Sequence, residues 1–384
     1  MGYDVSIVRC EDYRTDTVNK ALTEAIEAVG GLEWVKPGMR VALKANLVCA
    51  HKKEAAATTH PTVLAELTRL LTERGAQVIL GDSPGGLFNE PVLKRVYDIT
   101  GMQEAVQAGA KLNTDFAEEA AAFPEAVVAK TFSFTAWLRD ADAIINVCKL
   151  KSHGMMGMSA AAKNMFGAIP GTKKPEYHFR FPEMQDFSNM LVDLDEYFKP
   201  VLNIADAVIG MEGNGPTQGK PKKIGALLAS PSPHALDLVC AEVLGFQPKE
   251  IPTLVAAQER GLIPKDWKEL QVFGVPGDFY VSDFEKIDTR NDLNFSSAAG
   301  GGLAGKLFSK VAQRVLSSRP QVAAKECVGC AECARICPAR AIAMKDKLPV
   351  IDRERCIRCF CCQEFCPKGA MKVKRTMLAR ILTK

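Results

Sequence analysis

The sequence has few of the features that mark membrane, secreted and nucleic-acid-binding proteins. No stretch approaches the ~20 consecutive apolar residues that span a bilayer, and the amino terminus lacks a basic segment followed by a long apolar run. The formal net charge of the 384 residues is only +4, so charge indicates neither a nucleic-acid nor a membrane partner. We therefore expect a cytoplasmic protein in a reducing compartment.

Nucleotide-binding motifs are missing as well. No Gly-x-Gly-x-x-Gly opens a helix after the first predicted strand, and the glycine-rich stretch at 213–221 has Pro221 where a phosphate-binding loop needs Ser or Thr. The sequence thus predicts neither a dinucleotide site nor an ATP site.

Cysteine is scarce up to residue 326 and abundant after it. Four of the thirteen cysteines lie in the first part, in apolar surroundings that suit small buried side chains: Cys10, Cys49, Cys148 and Cys240. The other nine fall in two runs near the carboxyl end. Each run has the spacing Cys-x-x-Cys-x-x-Cys-x-x-x-Cys-Pro, which is typical of bacterial [4Fe-4S] ferredoxins.

The two runs predict two [4Fe-4S] clusters that exchange their fourth ligands. Three cysteines at i, i+3 and i+6 can reach three corners of an iron cube from one tight loop. In two-cluster ferredoxins the cysteine before proline binds the other cluster. The first cluster is therefore assigned to Cys327, Cys330, Cys333 and Cys366, and the second to Cys356, Cys359, Cys362 and Cys337.

Zinc and disulfides are the alternatives for these cysteines. Structural zinc usually takes two separated cysteine pairs or mixed Cys and His ligands, and disulfides need an oxidising compartment. Within the second run, Cys361 is a further candidate for the third ligand, although the regular spacing favours Cys362.

The first three hundred residues predict an α/β domain. Apolar strand-like runs alternate with helical patterns there, which indicates a layered, largely parallel sheet with helices on both faces. We expect strands at 3–8, 40–43, 77–80, 143–147, 201–209 and 224–229, and helices at 17–29, 60–73, 90–108 and 234–244.

Composition divides the chain into three parts. The α/β domain covers 1–295. A linker and a short helix cover 296–319, because the run of Ser, Ala and Gly at 296–302 is small and without periodicity. Residues 320–384 form a small α+β ferredoxin-like module with a basic tail.

Polar loops are predicted directly after four of the strands, at 44–46, 81–83, 149–153 and 212–214. In an open parallel sheet such segments lie along one edge, where ligands bind. We therefore expect them to converge on one pocket that holds an unidentified second ligand. The predicted cofactor-binding residues are Lys44, Asn46, Asp82, Lys151, Asn164, Glu212 and Asn214.

Histidine and lysine are the candidates for chemistry in this pocket, namely His60, His153, Lys163 and His178. Lys163 lies in a segment, 155–169, that is nearly free of other charge. Burial there could lower its pKa and let it act as a base, a nucleophile or a phosphate partner. The alternatives are histidines with only structural roles and a lysine that reaches from an apolar helix to solvent.

These residues resemble a known family. The segments 44–46, 58–61, 149–153, 159–167 and 211–216 look like the iron-sulfur-associated family catalogued as domain of unknown function 362, over roughly residues 1–290. The resemblance implies an architecture more than an activity.

A more distant likeness is to the nickel-pincer lactate racemases, in which three histidines and a cofactor-bearing lysine surround the nickel. His60, His153, Lys163 and His178 fall in the same order at similar intervals. An early Asp-x-x-Arg feature of those racemases has no match, since this chain has Lys44-Ala45-Asn46. The likeness implies a shared scaffold and an analogous pocket.

Together these features predict an iron-sulfur electron-transfer protein or ferredoxin-linked oxidoreductase. It would exchange electrons with a soluble redox partner and pass them through two clusters to an acceptor or small-molecule substrate in the pocket. Two alternatives stay open at this point. One is a non-redox isomerase or racemase with structural clusters, and the other is a maturation scaffold that donates a cluster or a metal.

Overall fold

The computed structural model describes residues 2–287 and 318–374. The short helix predicted at 307–316, most of the predicted linker and the basic tail beyond residue 374 lie outside the described residues. The boundary predicted at residue 295 likewise falls between the two described ranges.

The described strands fall into two groups along the chain. The first eleven belong to the part before residue 288, and the last four belong to the part after residue 317. They are β1 (Val5–Arg9), β2 (Arg40–Lys44), β3 (Gln77–Gly81), β4 (Lys111–Leu112), β5 (Glu118–Ala122), β6 (Thr131–Thr135), β7 (Ala143–His153), β8 (Gly157–Ser159), β9 (Leu202–Glu212), β10 (Lys220–Ser230), β11 (Val272–Phe273), β12 (Arg319–Val322), β13 (Ile342–Lys345), β14 (Leu348–Ile351) and β15 (Met371–Lys374).

The described α-helices are short to medium in length. They are α1 (Thr15–Ala28), α2 (Pro61–Thr72), α3 (Glu90–Thr100), α4 (Gln103–Gln107), α5 (Ala161–Asn164), α6 (Lys174–Arg180), α7 (Met184–Phe198), α8 (Pro233–Val243), α9 (Pro252–Glu259), α10 (Glu332–Arg335) and α11 (Cys361–Glu364). Short 3-10 helices lie at Lys53–Ala55, Ala136–Leu138, Met165–Ala168, Pro248–Glu250, Trp267–Glu269 and Pro276–Phe279. Among these described helices, none has the length and apolar character that a membrane crossing requires.

Local chemistry explains where several helices begin and end. Pro61 occupies the first turn of α2, where its fixed φ suits the helix and its missing N–H is not needed. The Asn89 side chain accepts a hydrogen bond from the Val92 N–H and starts α3. Gly101 ends the same helix at φ +79°, a backbone conformation that favours glycine.

A nine-stranded, mostly parallel sheet forms the centre of the α/β domain, in the order β11-β1-β10-β9-β7-β2-β3-β4, with β8 paired to β7. The run from β9 through β7, β2 and β3 to β4 is parallel throughout. Strand β10 is antiparallel to both of its neighbours. The predicted α/β class with a largely parallel sheet is therefore confirmed.

Alternate residues of the central strands face opposite sides of the sheet. Val41 and Leu43 of β2 pack in one core with α1–α4, whereas Ala42 packs in another with α7. A third core lies between β1, β10, α8 and α9. Helices thus cover both faces, and this leaves the strand ends as the accessible edge of the central sheet.

The prediction that 149–153 form a loop is wrong, because β7 continues to His153 and is buried throughout. Its polar residues have partners inside the fold. Lys149 lies opposite Asp206 in the β7–β9 register, and its Nζ is 2.8 Å from the Asp206 carboxylate. Strands β9 and β10 are also longer than predicted, since β9 runs to Glu212 and β10 begins at Lys220.

The carboxyl-terminal module consists of two small antiparallel sheets. Strand β12 pairs with β15, and β13 pairs with β14. Helices α10 and α11 each lie within one cysteine run, and both begin after a residue with a left-handed backbone, Ala331 and Phe360. The sequence repeat is therefore a structural repeat as well.

Candidate functional site

A cavity lies at the carboxyl ends of β2 and β3, beside the carboxyl-terminal half of β7. This is the edge at which open parallel sheets bind ligands. Six residues that the sequence singles out line it: Asn46, Asp82, Lys151, Lys163, Asn164 and His178.

Lys44 and Asp82 form a buried ion pair under the cavity. The Lys44 Nζ is 2.8 Å from Asp82 Oδ1, and both side chains are almost inaccessible. Asp82 Oδ2 also accepts a hydrogen bond of 2.7 Å from the Leu47 N–H. Gly167 leaves no room for a Cβ against this pair, so its backbone closes tightly over it. Burial lowers the pKa of Lys44, although the nearby Asp82 carboxylate opposes the shift.

Lys151 enters the cavity from β7. Its Nζ donates hydrogen bonds of 2.7 Å to Asn46 Oδ1 and 2.6 Å to the Ala57 carbonyl oxygen. Both acceptors are neutral. Burial, helped by the neighbouring Lys163 charge, lowers the pKa of Lys151 to about 8. The Lys151 ammonium group can therefore both hold an anion and release a proton near neutral pH.

Lys163 and Asn164 stand on α5, and Asp237 holds the start of this helix. The Asp237 carboxylate accepts hydrogen bonds from the backbone N–H groups of Ala161 at 2.6 Å and Ala162 at 3.2 Å. Burial lowers the pKa of Lys163. Among the described residues, the contact found for its Nζ is the Phe166 ring, whose centroid is 5.8 Å away.

The Asn164 amide is oriented by its own contacts. Its Nδ2 donates to Asn146 Oδ1 at 2.8 Å and to the Lys44 carbonyl oxygen at 3.3 Å. Its Oδ1 is buried and has no donor within the described ranges. The side-chain oxygen of Asn164, a residue of the cavity wall, is thus an acceptor without a protein donor among the described residues.

His178 reaches the cavity from α6. Its ring stacks on Phe187, with the centroids 4.4 Å apart, and its Nδ1 has no partner among the described residues. Burial, with the Lys163 and Lys174 charges, lowers the pKa of His178 to about 3. The imidazole is therefore neutral at physiological pH.

His153 lies just behind the cavity wall, near the end of β7. Its Nδ1 accepts hydrogen bonds from the Met155 N–H at 3.0 Å and the Met156 N–H at 3.2 Å. Its Nε2 lies 4.0 Å from a carboxylate oxygen of Glu364. Burial, followed by the charges of Lys163 and Lys151, holds the pKa of His153 well below its usual value.

Three residues that the sequence assigns to the pocket do not line the cavity: His60, Glu212 and Asn214. The His60 Nδ1 accepts a hydrogen bond from the Thr62 N–H at the start of α2. Its ring stacks on Tyr13 at 3.6 Å. These local packing contacts hold His60 in place, and His60 does not line the cavity.

Glu212 is the last residue of β9, and Asn214 lies two residues beyond it. The Glu212 carboxylate accepts a hydrogen bond of 2.9 Å from the Glu285 N–H and lies 3.7 Å from Lys222 Nζ. The Asn214 carbonyl oxygen accepts a hydrogen bond from Gln363 of the cysteine-rich module. Asn214 therefore contacts the module, whereas Pro216 of the same segment lines the cavity.

The cysteine-rich module closes one side of the cavity with Glu364 and Phe365. Gly85 leaves no space for a side chain against the Phe365 ring, which fixes how closely the two parts approach. The Thr217 hydroxyl donates to the Glu364 carbonyl oxygen at 2.9 Å. The cavity is therefore built jointly by the α/β domain and the module.

A second cavity lies in the module. Four cysteines from both runs line it, together with apolar residues such as Val328 and Met371: Cys327, Cys330, Cys333 and Cys366. These are the four thiols that the sequence assigns to the first cluster. Their arrangement around a largely apolar cavity fits a [4Fe-4S] cube.

The four thiols that the sequence assigns to the second cluster also lie near one another: Cys337, Cys356, Cys359 and Cys362. Burial raises the pKa of Cys356, and the neighbouring Cys359 and Cys337 thiols raise it further. Cys362 is buried within reach of Cys359, Cys356 and Cys337. This set fits the second predicted cluster, and metal binding would keep its thiols deprotonated.

The two crossing ligands have matching backbone contacts. The Ala341 N–H donates to Cys337 Sγ at 3.3 Å, and the Ala370 N–H donates to Cys366 Sγ at 3.2 Å. Such hydrogen bonds orient a thiolate and tune the potential of the cluster that it binds. Within residues 2–287 and 318–374, no three His, Cys, Asp or Glu side chains are grouped as the ligands of a single metal ion.

Two regions of the chain match known protein families. Residues 319–367 match the family described as 4Fe-4S dicluster domain. Residues 41–242, more than half of the chain, match the family described as domain of unknown function (DUF362). The chain belongs to the DUF362 family. The resemblances to the DUF362 family and to two-cluster ferredoxins, both predicted from the sequence, are confirmed. The DUF362 protein thus carries an iron-sulfur domain.

The DUF362 protein is similar in sequence to one further protein and weakly similar in structure to another. A thylakoid-associated protein of Synechocystis sp. is 34% identical over 275 residues, which are 69% of this chain and 81% of that protein. The lactate racemase apoprotein of Thermoanaerobacterium thermosaccharolyticum has 11% sequence identity and a TM-score of 0.39. That alignment covers 63% of this chain and 57% of the racemase chain, so the structural similarity is weak.

Several residues of the DUF362 pocket were not predicted from the sequence. Lys174, Phe166 and Ser159 line it from the DUF362 region, and Glu364 and Phe365 line it from the dicluster domain. Lys174 follows Lys173 in a polar segment and is partly exposed, so nothing in the local pattern indicates that it lines a cavity. Glu364 and Phe365 lie between two predicted cysteine ligands, and no local pattern indicates that residues at such positions contact a second domain.

Proposed function

We propose that the protein is an iron-sulfur electron-transfer protein or reductase that passes electrons through two [4Fe-4S] clusters to an acceptor bound in the α/β cavity. One observation carries the proposal. Glu364 and Phe365, which lie between the predicted ligands Cys362 and Cys366, also line the cavity that contains Lys163. The donor side and the acceptor side of the proposed reaction therefore share a wall.

A [4Fe-4S] cluster supplies electrons one at a time, at a potential set by its hydrogen bonds, burial and surrounding charge. The protein's own part is to hold the acceptor against the module. Gln363 and Thr217 join the two domains by hydrogen bonds at this wall. A fixed contact of this kind removes the need for the two parts to find each other during turnover.

Proton supply is the second task of the cavity. An organic acceptor that is reduced by electron pairs also takes up protons. Lys151, with a pKa of about 8, is protonated at neutral pH and releases its proton readily. Burial lowers the pKa of Lys163 as well. His153 and His178 are neutral, so they would form hydrogen bonds and would not supply protons.

We also propose a reducing, cytoplasmic compartment with a soluble electron donor. All thirteen cysteines are free thiols. Cluster assembly requires the cysteines of both runs to remain reduced.

The proposal is tested by filling the cavity without touching the clusters. Val48 lines the cavity, so Val48→Trp narrows it, while Val127→Trp places the same side chain at an exposed site. Each anaerobically purified protein is reduced with dithionite, desalted and mixed with a panel of small organic acceptors. Recovery of the visible cluster absorbance is then followed over time.

We expect at least one acceptor to reoxidise the wild-type protein and the Val127→Trp variant at a saturable rate, and the Val48→Trp variant much more slowly. Iron content and the absorbance of the oxidised protein must stay equal in all three proteins. If every acceptor reoxidises Val48→Trp as fast as the wild type, electrons leave from the module surface and the proposal fails.

A further inference from the structure

Positive charge exceeds negative charge in the wall of the cavity. Lys151, Lys163 and Lys174 line it, and its described acidic lining residues are Asp82 and Glu364. Asp82 is already paired with Lys44 at 2.8 Å. Among the described lining residues, Glu364 is thus the one carboxylate left to face three ammonium groups.

None of these three lysines makes an ion pair within residues 2–287 and 318–374. Lys151 donates to Asn46 Oδ1 and to a carbonyl oxygen. Lys174 donates to the Ser83 carbonyl oxygen. The Lys163 ammonium group lies 5.8 Å from the centroid of the Phe166 ring. Neutral acceptors satisfy N–H groups, but they do not neutralise charge.

Burial makes this surplus unfavourable for the empty protein. It lowers the pKa of both Lys151 and Lys174 to about 8, and it lowers the pKa of Lys163 as well. A buried ammonium group is stable only with a counter-ion or after losing its proton. An anion in the cavity would neutralise the three groups and keep them protonated.

Two of the lining residues, His178 and Asn164, each have a buried polar atom without a protein partner among the described residues. His178 Nδ1 and Asn164 Oδ1 have none in the described part of the chain, and each residue is 4% exposed. A protonated Nδ1 of a neutral imidazole can donate to an oxyanion, and Asn164 Oδ1 can accept from a hydroxyl. Their burial without partners is unfavourable until a ligand supplies the missing groups.

We propose that the cavity binds a small organic oxyanion with at least two negative charges, held by Lys151, Lys163 and Lys174 and contacted by His178. This inference rests on the proposed function, because it names the charge class of the acceptor. Phosphate and carboxylate groups share the required chemistry.

Isothermal titration calorimetry on the oxidised, full-length holoprotein tests the inference. Inorganic pyrophosphate and citrate are the two anionic probes, and glycerol is the neutral control. The variants are Lys163→Gln and Lys174→Gln, with Lys163→Arg to retain the charge. Lys220→Gln is the matched control, because Lys220 is exposed and paired with Glu285 on the surface.

We expect at least one anion to bind saturably. Each Gln variant should weaken its affinity about ten- to a hundredfold, as loss of a charged hydrogen-bond donor does. Lys163→Arg and Lys220→Gln should bind nearly as the wild type does. A preference for pyrophosphate would identify a phosphate ligand, and a preference for citrate would identify a carboxylate ligand.

The inference is overturned if neither anion binds saturably, if glycerol binds as well as they do, or if both Gln variants keep wild-type affinity. Cluster absorbance and thermal melting verify that each variant is folded. No electron donor is present, so the result is independent of electron transfer. Anion binding without any acceptor-dependent reoxidation would reject the proposed function and leave this inference standing.

Discussion

The side-chain amide of Gln363 donates a hydrogen bond of 3.1 Å to the carbonyl oxygen of Gly215 and so joins the dicluster domain to the DUF362 region. The same amide donates to the Asn214 carbonyl oxygen at 3.1 Å. Gln363 is 1% exposed, so water cannot easily replace it. This side chain lies directly after Cys362, which makes it a link between a predicted cluster ligand and the neighbouring domain.

Gln363→Ala should loosen this contact. It leaves two carbonyl oxygens at a buried interface without their donor, at a cost of about 1–3 kcal/mol each if water does not enter. We expect faster amide hydrogen exchange in residues 213–217 and a lower melting temperature. Gln321→Ala, at an exposed position in the same module, is the control. Equal exchange in both variants would show that the amide does not hold the domains together.

The sequence predicted the parts of the site that depend on local pattern or on general sheet geometry. Cysteine spacing is local, so the two runs could be identified directly. Lys44 and Asp82 follow neighbouring parallel strands, and the edge rule brings such residues together. His60 misled the prediction because its position before a helix start looks like a loop, while its partners Tyr13 and Thr62 are set by packing.

Other features depend on contacts that the sequence does not reveal. Residues 149–153 look polar enough for a loop, yet they extend β7, because Lys149 finds Asp206 across the sheet at 2.8 Å. Phe365 resembles any residue between two cysteine ligands. Its role at the cavity follows from domain docking, which places it against Gly85. Long-range pairing of this kind leaves no periodic signal.

Asp82→Asn should destabilise the protein strongly, because it leaves the Lys44 charge buried without a partner. Breaking one member of a buried pair typically costs about 3–5 kcal/mol. Chemical denaturation of the wild type and the variant measures the effect. Asp98→Asn breaks an exposed pair with Lys94 and should change stability little.

The double variant Lys44→Met/Asp82→Asn separates pairing from packing. It removes the charge that Asp82→Asn alone leaves behind, so it should be more stable than the single variant. A double variant as unstable as Asp82→Asn would show that shape, and not charge, dominates at this position.

His178 should make stability fall as the pH is lowered. Its pKa is about 3 in the fold and about 6.5 in the unfolded chain, so below about pH 6.5 only the unfolded chain takes up the proton. The stabilising contribution is complete above that pH and falls by about 2 kcal/mol by about pH 5. The measurement is the free energy of unfolding from about pH 7 to about pH 5, in the wild type and in His178→Asn.

The difference between the two proteins is the quantity to compare. Burial raises the pKa of Asp237 to about 7, and this group acts in the opposite sense, because the fold retains its proton. Asp237 is present in both proteins, so its contribution cancels in the difference. The wild type should lose more stability than His178→Asn on acidification. Parallel profiles would mean that His178 does not titrate as expected.

The adjacent cysteines Cys361 and Cys362 should differ in their effect on iron binding. Cys362 packs with Cys333 and Cys366 in the centre of the module. Cys361 is 1% exposed and lies within hydrogen-bonding reach of Cys359 and near Glu364, toward the cavity side. This arrangement favours Cys362 as the third ligand of the second run.

We expect Cys361→Ala to keep about eight irons per chain after anaerobic reconstitution, and Cys362→Ala to retain about four. Iron analysis and spin quantitation by electron paramagnetic resonance of the reduced proteins measure both values. The reverse result would make Cys361 the ligand. Because Cys361 lies next to the cavity wall, the cluster would then lie closer to Lys163, and the path to the proposed acceptor would be shorter than the cysteine spacing implies.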